Sequence, residues 1–261
     1  MINPAVEIHD LTVAYREKPV LWDIDVIIPE GSLCAIVGPN GAGKTTLLSS
    51  ILGTIKPASG WLKIFDQPIE ESEELIGFVP QRESVDWDFP VEVLDVVMMG
   101  TYRRLGWFRR PGKAQHDWAM ECLEAVGMAD LHRRQIGELS GGQQQRVFIA
   151  RALAQDARLF LMDEPFAGVD AATEDAIRHV LEDLKRQGRT VILVHHDLQT
   201  IEQFFDHVLL LNLRLIASGP TMETFTRKNL LRTYGGRLTL LDEAAEAVRR
   251  IRTGGGGGGG S

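Results

Sequence analysis

Cysteine is scarce in this chain. Cys34 and Cys122 are the two that occur, far apart and without the C-x-x-C spacing of a thiolate metal site. This usage excludes a disulfide-stapled scaffold and suits a reducing compartment. Long apolar runs are also missing, since none approaches the ~18 residues that a membrane-spanning helix needs. The first ten residues carry neither a basic leader nor an apolar stretch, so we expect no signal peptide.

Positive charge is in deficit. The chain of 261 residues has 28 Lys and Arg against 36 Asp and Glu, a formal net charge of −8. Such an acidic chain lacks the basic footprint of a protein whose main partner is nucleic acid, so we expect no nucleic-acid partner. Its length suffices to bury the core of one large α/β domain, or of a domain with an inserted subdomain.

Apolar residues recur in two different periods along the chain. Strands are predicted at Val6–Tyr15, Val20–Ile28, Leu33–Val37, Trp61–Phe65, Ile76–Val79, Leu159–Met162, Thr190–Val194 and Val208–Leu211. Helices are predicted at Thr46–Leu52, Val91–Met99, Gln115–Val126, Gly142–Gln155, Ala171–Gln187 and Leu198–Phe204. The first two strands alternate as half-buried antiparallel strands do, whereas the later alternation of strand and helix predicts a parallel sheet covered by helices.

Three segments depart from that alternation. Residues 82–138 are rich in helix signal and lie between two strand-rich parts, which predicts a helical insertion. Leu238–Ile251 has apolar residues at helical spacing and is predicted to be a terminal helix. Residues 254–261 are seven glycines and a serine, which we interpret as an added flexible linker.

A glycine-rich loop follows the third predicted strand and precedes a helix, the context that the G-x-x-x-x-G-K-[ST] motif requires. Its residues are Gly38, Pro39, Asn40, Gly41, Ala42, Gly43, Lys44, Thr45 and Thr46. Glycines let backbone N–H groups point inward at phosphate oxygens, and the helix N-terminus adds positive charge. Lys44 is expected to reach the β- and γ-phosphates of a nucleotide, and the Thr45 hydroxyl to ligate Mg²⁺.

An acidic pair ends a second apolar strand. Asp163 and Glu164 follow Leu159–Met162. Alone, such a pair is more often a helix cap or an exposed turn, but a phosphate loop upstream needs a carboxylate at a neighbouring strand end. We therefore expect Asp163 to approach Mg²⁺ and Glu164 to act as the general base on the attacking water.

A third motif lies before another predicted helix. The residues are Leu139, Ser140, Gly141, Gly142 and Gln143. Taken alone they fit an ordinary N-cap as well as they fit a second anion-binding helix N-terminus.

In this combination the sequence resembles the ATPase subunits of ATP-binding cassette (ABC) transporters, over residues 5–235. The resemblance implies an α/β P-loop NTPase of ABC type. Its core sheet is mainly parallel, with an antiparallel β subdomain and an inserted α-helical subdomain. The ATPase domain would be residues 1–235, with the insertion at about 82–155 and a C-terminal helix at 236–253.

The resemblance also implies roles for single residues. Gln81 is similar to the Q-loop glutamine that ligates Mg²⁺ and water, and His196 to the switch histidine that contacts the γ-phosphate. Asp170 is similar to the D-loop aspartate, and Tyr15 to the aromatic that stacks on adenine. Alone, each has a structural interpretation, as a turn residue, a strand end or an edge-strand aromatic. Since adjacent strand residues point to opposite faces, His195 and His196 are not expected to share a metal.

The resemblance further implies a pair of copies. In the family, the signature turn with Ser140 closes over ATP held by the phosphate loop of the second copy, and two ATP molecules are sandwiched head-to-tail. If the helix after Ser140 belongs to the inserted subdomain, its N-terminus is not expected to fold back easily on its own phosphate loop.

The resemblance also implies a separate integral-membrane permease, because a lone ATPase of this size has no membrane-spanning part of its own. The stretch after Gln81, with Trp87 and Phe89, resembles the ATPases of bacterial manganese, zinc and iron importers. This implies a peripheral location at the cytoplasmic face of the membrane and an indirect partner, an extracytoplasmic metal-binding protein. Trp87 and Phe89 would contact a permease helix or instead fill the core of the helical insertion.

A basic cluster follows that stretch. It consists of Arg103, Arg104, Arg109, Arg110 and Lys113. It fits a solvated face, or a surface for anionic lipid headgroups below the permease. Two other functions stay open from the sequence: an importer ATPase for another substrate such as an iron chelate, and a soluble ABC ATPase of iron–sulfur assembly. The implied cofactors are ATP and Mg²⁺, and we do not expect this chain to bind the transported metal.

Overall fold

A computed structural model of the protein describes residues 3–15, 18–87, 89–105 and 110–235. The predicted terminal helix within 236–253 and the glycine-serine segment 254–261 lie outside these residues. No helix in the described part of the chain is long and apolar enough to cross a membrane.

The described ranges contain strands in two sheets. The strands are β1 (Pro4–Tyr15), β2 (Lys18–Pro29), β3 (Leu33–Val37), β4 (Ser59–Ile64), β5 (Gln67–Pro68), β6 (Ile76–Val79), β7 (Leu159–Met162), β8 (Thr190–Val194), β9 (His207–Asn212) and β10 (Arg214–Pro220). The helices are α1 (Lys44–Ile51), α2 (Val93–Met99), α3 (Tyr102–Leu105), α4 (Lys113–Ala125), α5 (Gly141–Ala154), α6 (Ala171–Arg186), α7 (Ile201–Phe204), α8 (Thr221–Thr224) and α9 (Arg227–Tyr234).

The larger sheet is built from the continuous apolar runs of the sequence. Its order is β10-β9-β3-β8-β7-β6, and β9, β3, β8, β7 and β6 are parallel, while β10 pairs antiparallel at the edge. Every residue of β3, β7 and β8 is buried, because helices cover one face of this sheet and α1 with the second sheet covers the other. The parallel sheet is confirmed.

The second sheet is antiparallel, in the order β2-β1-β4-β5. β1 and β2 alternate buried and exposed residues along most of their length. Their buried side chains, such as Ile8 and Val13, pack with Leu47 and Ile51 of α1 in one apolar core against the larger sheet. The antiparallel β layer is therefore confirmed, and it holds α1 beside the end of β3.

The helical part of the chain lies between β6 and β7, as predicted. α2, α4 and α5 pack on one another, and α5 also packs on β6. Val97, Leu123 and Phe148 bring these helices into the core on the other face of the larger sheet. The subdomain bounds of about 82–155 stay a prediction.

One predicted helix is shorter than expected. Leu198–Phe204 was predicted as helix, but α7 begins at Ile201. The Asp197 carboxylate accepts a hydrogen bond from the Gln199 N–H at 2.9 Å, and the Thr200 hydroxyl donates to the Asp197 carbonyl at 3.2 Å. This local turn replaces the first helical turn, because a short acidic side chain competes for the backbone N–H groups.

The last elements, β10 and α9, were not predicted. α9 is tied to the turn after β9, since the Asn212 side-chain amide donates to the Thr233 carbonyl at 2.9 Å. The same turn reaches the glycine-rich loop, where the Leu213 N–H donates to the Ala42 carbonyl at 2.9 Å. The end of the described chain thus packs next to the loop that the sequence marks as functional.

Candidate functional site

The glycine-rich loop connects β3 to α1 at the carboxyl end of the parallel sheet. Gly41 and Gly43 have φ values of +80° and +93°, which side chains with a Cβ rarely adopt. A Cβ at Gly43 would also lie 2.5 Å from the Leu21 side chain, and a Cβ at Gly38 would collide with the Leu211 carbonyl oxygen. The glycines at these positions are required by the path of the backbone itself.

Lys44 lies inside this loop and is 6% exposed. Its Nζ donates hydrogen bonds to the carbonyl oxygens of Gly38 at 2.9 Å and Pro39 at 3.0 Å. Burial lowers the pKa of the Lys44 ammonium, while the carboxylates of Glu164 and Asp163 act in the opposite direction. The loop therefore holds a cation at its centre, with two acidic groups facing it.

A cavity of about 610 Å³ opens in front of the loop. The residues that line it are Val20, Asn40, Gly41, Gly43, Lys44, Thr45, Thr46, Gln81, Glu164 and His196. Its size lies in the range of small-molecule and cofactor sites. Five separate segments of the chain meet here, and nine of these ten residues were predicted from the sequence. Val20 was missed, because nothing in an alternating strand marks one valine as lining a site.

Asp163 lies at the end of β7, beside the cavity, and is 3% exposed. Burial raises the pKa of Asp163, while the nearby Thr45 side chain acts in the opposite direction as a smaller effect. Asp163 Oδ1 is buried and has no hydrogen-bond partner among the described residues. Such an orphaned carboxylate oxygen beside a hydroxyl is a donor set that fits Mg²⁺.

Glu164 follows at once and turns toward a histidine from the next strand. Its Oε1 lies 2.5 Å from His196 Nε2, and its backbone has a φ of +53°, a left-handed conformation that costs energy for a non-glycine residue. The strained turn separates the two acidic side chains, with Asp163 buried and Glu164 lining the cavity. Glu164 and His196 are thus within hydrogen-bond distance of each other in front of the glycine-rich loop.

The two adjacent histidines have different surroundings, as predicted. His195 is 5% exposed, lies between the rings of Phe166 and Phe205, and shares a hydrogen bond of 2.8 Å with the Thr200 hydroxyl. Burial lowers the pKa of His195 to about 4, so this imidazole is neutral. His196 is exposed and lines the cavity.

Gln81 reaches the cavity from the turn after β6. Its side-chain amide donates to Glu83 Oε2 at 2.9 Å. The turn after β6 thus brings the Gln81 amide, which has both a donor and an acceptor and no charge, to the wall of the cavity. Together with Thr45 and Asp163, Gln81 completes the predicted set of oxygen donors for Mg²⁺.

The Ser140 motif does not line this cavity. Ser140 caps α5: the Gln143 N–H donates to Ser140 Oγ at 3.4 Å, and the Ser140 N–H donates to Gln143 Oε1 at 2.9 Å. The N-cap interpretation therefore holds. Ser140 is exposed, so its hydroxyl is accessible from outside the chain.

Two residues suggested by resemblance lie outside the cavity lining. Asp170 is the N-cap of α6 and accepts a hydrogen bond from the Thr173 N–H at 2.8 Å, which is the main reason why the pKa of Asp170 is lowered. Tyr15 ends β1 and is 53% exposed. Within this single chain the structure does not bring either one to the cavity.

Trp87 and Phe89, the two aromatic residues in the stretch after Gln81, have different surroundings. Trp87 packs edge-on against Phe148 with ring centroids 4.9 Å apart, so it belongs to the helical core. Phe89 is 61% exposed. In the basic cluster, Arg110 and Lys113 are exposed, whereas Arg109 and the side chains of Arg103 and Arg104 lie outside the described part of the chain.

Comparison with known proteins gives consistent matches. The ABC transporter family profile matches residues 21–167. The zinc transport system ATP-binding protein TroB of Treponema pallidum is 57% identical over 235 residues, 90% of this chain and 88% of that protein. The manganese transport system ATP-binding protein MntB of Bacillus subtilis is 58% identical over 238 residues, 91% of this chain and 95% of that protein.

A solved structure extends the match to three dimensions. A dimeric ATP-binding cassette in a post-hydrolysis state, bound to ADP and Pi, superposes with a TM-score of 0.72 at 28% identity. The superposition covers 82% of this chain and 98% of that one.

Proposed function

This chain belongs to the ABC transporter family and is an ATPase of that family, and we propose that it powers an importer for a transition metal ion, manganese, zinc or iron. The observation that carries the proposal is the cavity in which Lys44, Gln81, Glu164 and His196 meet. These four residues come from four separate segments, and each supplies a group that ATP hydrolysis requires. Relatives named for zinc and manganese transport support the choice of cargo.

ATP binding is assigned to the glycine-rich loop. Backbone N–H groups of the loop and the first turn of α1 face the phosphates, and Lys44 exchanges its bonds to Gly38 and Pro39 for bonds to phosphate oxygens. Because the loop already satisfies the Lys44 ammonium internally, the chain can bury this cation before nucleotide arrives.

Mg²⁺ would be held by Thr45, Asp163 and Gln81, and when bound it supplies positive charge that neutralises the charge developing on the phosphate oxygens. The orphaned Asp163 Oδ1 supports this assignment, since a cation would satisfy it. The Thr45 side chain lies near enough to the Asp163 carboxyl to oppose the rise in its pKa, so the fold places the two groups together.

ATP hydrolysis is assigned to Glu164 and His196, which follow β7 and β8. Glu164 accepts the proton of the attacking water, and His196 donates to the γ-phosphate. Their distance of 2.5 Å shows that both side chains reach the same point of the cavity. An ATP γ-phosphate arriving between them would compete with Glu164 for the His196 N–H.

A second copy of the chain is proposed to complete each site. Ser140 is exposed at an anion-binding helix N-terminus and does not line its own cavity. In a head-to-tail pair, Ser140, Gly141, Gly142 and Gln143 of each copy would face the ATP of the other. The dimeric cassette with ADP and Pi, which this chain resembles, supports that arrangement. Asp170 and Tyr15 would act at the same closed interface and at the adenine.

An integral-membrane permease is the proposed third component, with the chain peripheral at the cytoplasmic face and a metal-binding protein on the far side. Phe89 is exposed and would contact a helix of the permease. Trp87 packs on Phe148 instead and holds the segment after Gln81 in place. The proposed division of the chain is an ATPase domain at 1–235 with its helical insertion at about 82–155.

The test is transport-coupled ATP hydrolysis in vesicles that contain this chain, its permease and the binding protein. We expect Mn²⁺, Zn²⁺ or Fe²⁺, added on the binding-protein side, to stimulate hydrolysis, and a Glu164→Gln chain to abolish it. If ATP is hydrolysed but none of the three ions stimulates it, the metal-importer function is wrong and an ATPase for another substrate remains. If the wild-type chain hydrolyses no ATP, the catalytic assignment fails as well.

A further inference from the structure

Arg82, the residue next to Gln81, makes contacts that the ATPase mechanism above does not use. Its side chain is half-buried and does not line the ATP cavity. Instead it extends toward the N-terminus of α5. Arg82 Nε donates a hydrogen bond to Gln144 Oε1 at 3.2 Å, across a sequence separation of 62 residues.

The Arg82 side chain also lies against Gly141, the first glycine of the Ser140 motif. A Cβ added to Gly141 would lie 2.8 Å from Arg82 Cζ and 3.0 Å from its Nε, closer than packed side chains allow. The guanidinium therefore lies directly on the backbone of Gly141. A side chain at this position would displace the guanidinium, so the glycine leaves room for Arg82.

Gln144, which accepts the hydrogen bond from Arg82, is itself held in place. Gln144 is 4% exposed, and its side-chain amide donates to the Ile136 carbonyl at 3.2 Å. One end of the amide thus binds the segment before Ser140, and the other accepts from Arg82. Gln144 holds Arg82 against the turn that presents Ser140.

The segment after Gln81 is anchored at a second point. Trp87 Nε1 donates to the Arg82 carbonyl at 2.8 Å, and the Trp87 ring packs on Phe148 of α5. A Cβ at Gly137 would lie 2.9 Å from the Trp87 carbonyl oxygen. Backbone and side chain of Arg82 are therefore both connected to α5 and the turn before it.

We propose that Arg82 is a positioning residue that couples the two ATP sites of the dimer, because it joins Gln81, which faces ATP in its own chain, to Ser140, which faces ATP in the other. The inference rests on the proposed function, since it needs Ser140 to act across the pair. ATP at one site draws Gln81 toward the nucleotide, Arg82 follows, and the Ser140 turn is set for the second site. Coupling of this kind appears as cooperativity between the sites.

The experiment compares the ATP dependence of hydrolysis by the full-length wild-type chain and by Arg82→Met, which keeps the length of the side chain and removes the guanidinium. For two coupled sites we expect a Hill coefficient approaching 2 in the wild type and about 1 in the variant. Thermal melting without nucleotide checks folding. Arg158→Met is the matched control, because Arg158 is an arginine paired elsewhere, with Glu30 at 2.6 Å.

Two more variants separate geometry from charge. Gln144→Met removes the acceptor while leaving Arg82 in place, and we expect the same loss of cooperativity, with no further loss in the double variant. Arg82→Lys keeps the charge but not the planar Nε–H, so we expect it not to restore cooperativity. Full rescue by lysine overturns the hydrogen-bonded link.

The remaining outcomes are distinguishable. A cooperative wild type with an equally cooperative, folded Arg82→Met variant overturns the inference alone. If Arg82→Met does not fold, an unchanged Hill coefficient in Gln144→Met overturns it. A wild-type Hill coefficient of about 1 overturns the coupling, whereas the proposed function is tested separately by transport-coupled ATP hydrolysis in vesicles.

Discussion

Glu164 Oε1 lies 2.5 Å from His196 Nε2, although the two residues leave different strands of the sheet. Parallel strands β7 and β8 are neighbours with one strand's carboxyl end beside the other, so side chains that follow them meet at one edge. Glu164 reaches this point through a left-handed backbone conformation. The fold thus keeps an energetically unfavourable turn where a base and a hydrogen-bond donor must face the same ligand.

Replacing Glu164 by glutamine removes the proposed base while keeping the size of the side chain. We expect ATP hydrolysis to fall by roughly 10²- to 10⁴-fold, the usual contribution of general-base catalysis. ATP binding should persist, and the ATP-bound dimer should become more stable because it is no longer hydrolysed. Steady-state phosphate release and gel filtration with ATP measure the two effects. Glu71→Gln, at an exposed residue, is the control, and normal turnover by Glu164→Gln would exclude the base assignment.

Replacing Lys44 by alanine removes the cation at the centre of the glycine-rich loop. A hydrogen bond to a charged group contributes about 1.5–3 kcal/mol, so we expect ATP affinity to fall roughly 10- to 100-fold. Equilibrium binding of a fluorescent ATP analogue measures the change. Lys56→Ala, at an exposed lysine, should bind as the wild type does. Equal affinities for Lys44→Ala and wild type would contradict the phosphate site.

His195 predicts a pH dependence of stability. Its pKa falls from 6.5 to about 4 on folding, so the unfolded chain takes up the proton first as the pH drops. Above pH ~6.5 the free energy of unfolding is not reduced by this group. It decreases progressively as the pH falls toward ~4, by about 2 kcal/mol at pH 5 for a shift of this size.

The test of this titration is denaturant unfolding of wild type and His195→Asn at pH 7.5 and pH 5. The variant is expected to be less stable at pH 7.5 because it loses packing against Phe166 and Phe205. Its stability should nevertheless fall less between the two pH values than that of the wild type. An identical decrease in both proteins would show that His195 does not titrate in this way.

Phe89 and Trp87, in the segment after Gln81, predict two different phenotypes. Phe89→Ala should leave folding and basal hydrolysis unchanged and reduce the stimulation of hydrolysis by the permease, because Phe89 is exposed. Trp87→Ala should destabilise the chain by about 3 kcal/mol, since it removes a packed indole and its hydrogen bond to Arg82. Melting curves and ATPase assays with and without permease separate the two. Permease stimulation that survives Phe89→Ala would exclude this anchor.

The sequence predicted what is encoded locally. The phosphate loop, the buried parallel strands and the opposite directions of His195 and His196 follow from glycine spacing and strand periodicity. Local spacing could not predict that Arg82 lies on Gly141, because that contact depends on how the helical segment packs beside the turn after β6. β10 and α9 were missed for a related reason: their apolar residues are few, and neighbouring elements rather than internal pattern hold them.

The exposed cap at Ser140 has a genetic consequence. If each ATP is held by the loop of one copy and the cap of the other, a dimer of one Lys44→Ala chain and one Ser140→Ala chain has both lesions in the same site. Its second site is intact, whereas either variant alone has none. Coexpression of two inactive alleles would then restore part of the activity, and the mixed population would show how much work a single intact site can perform.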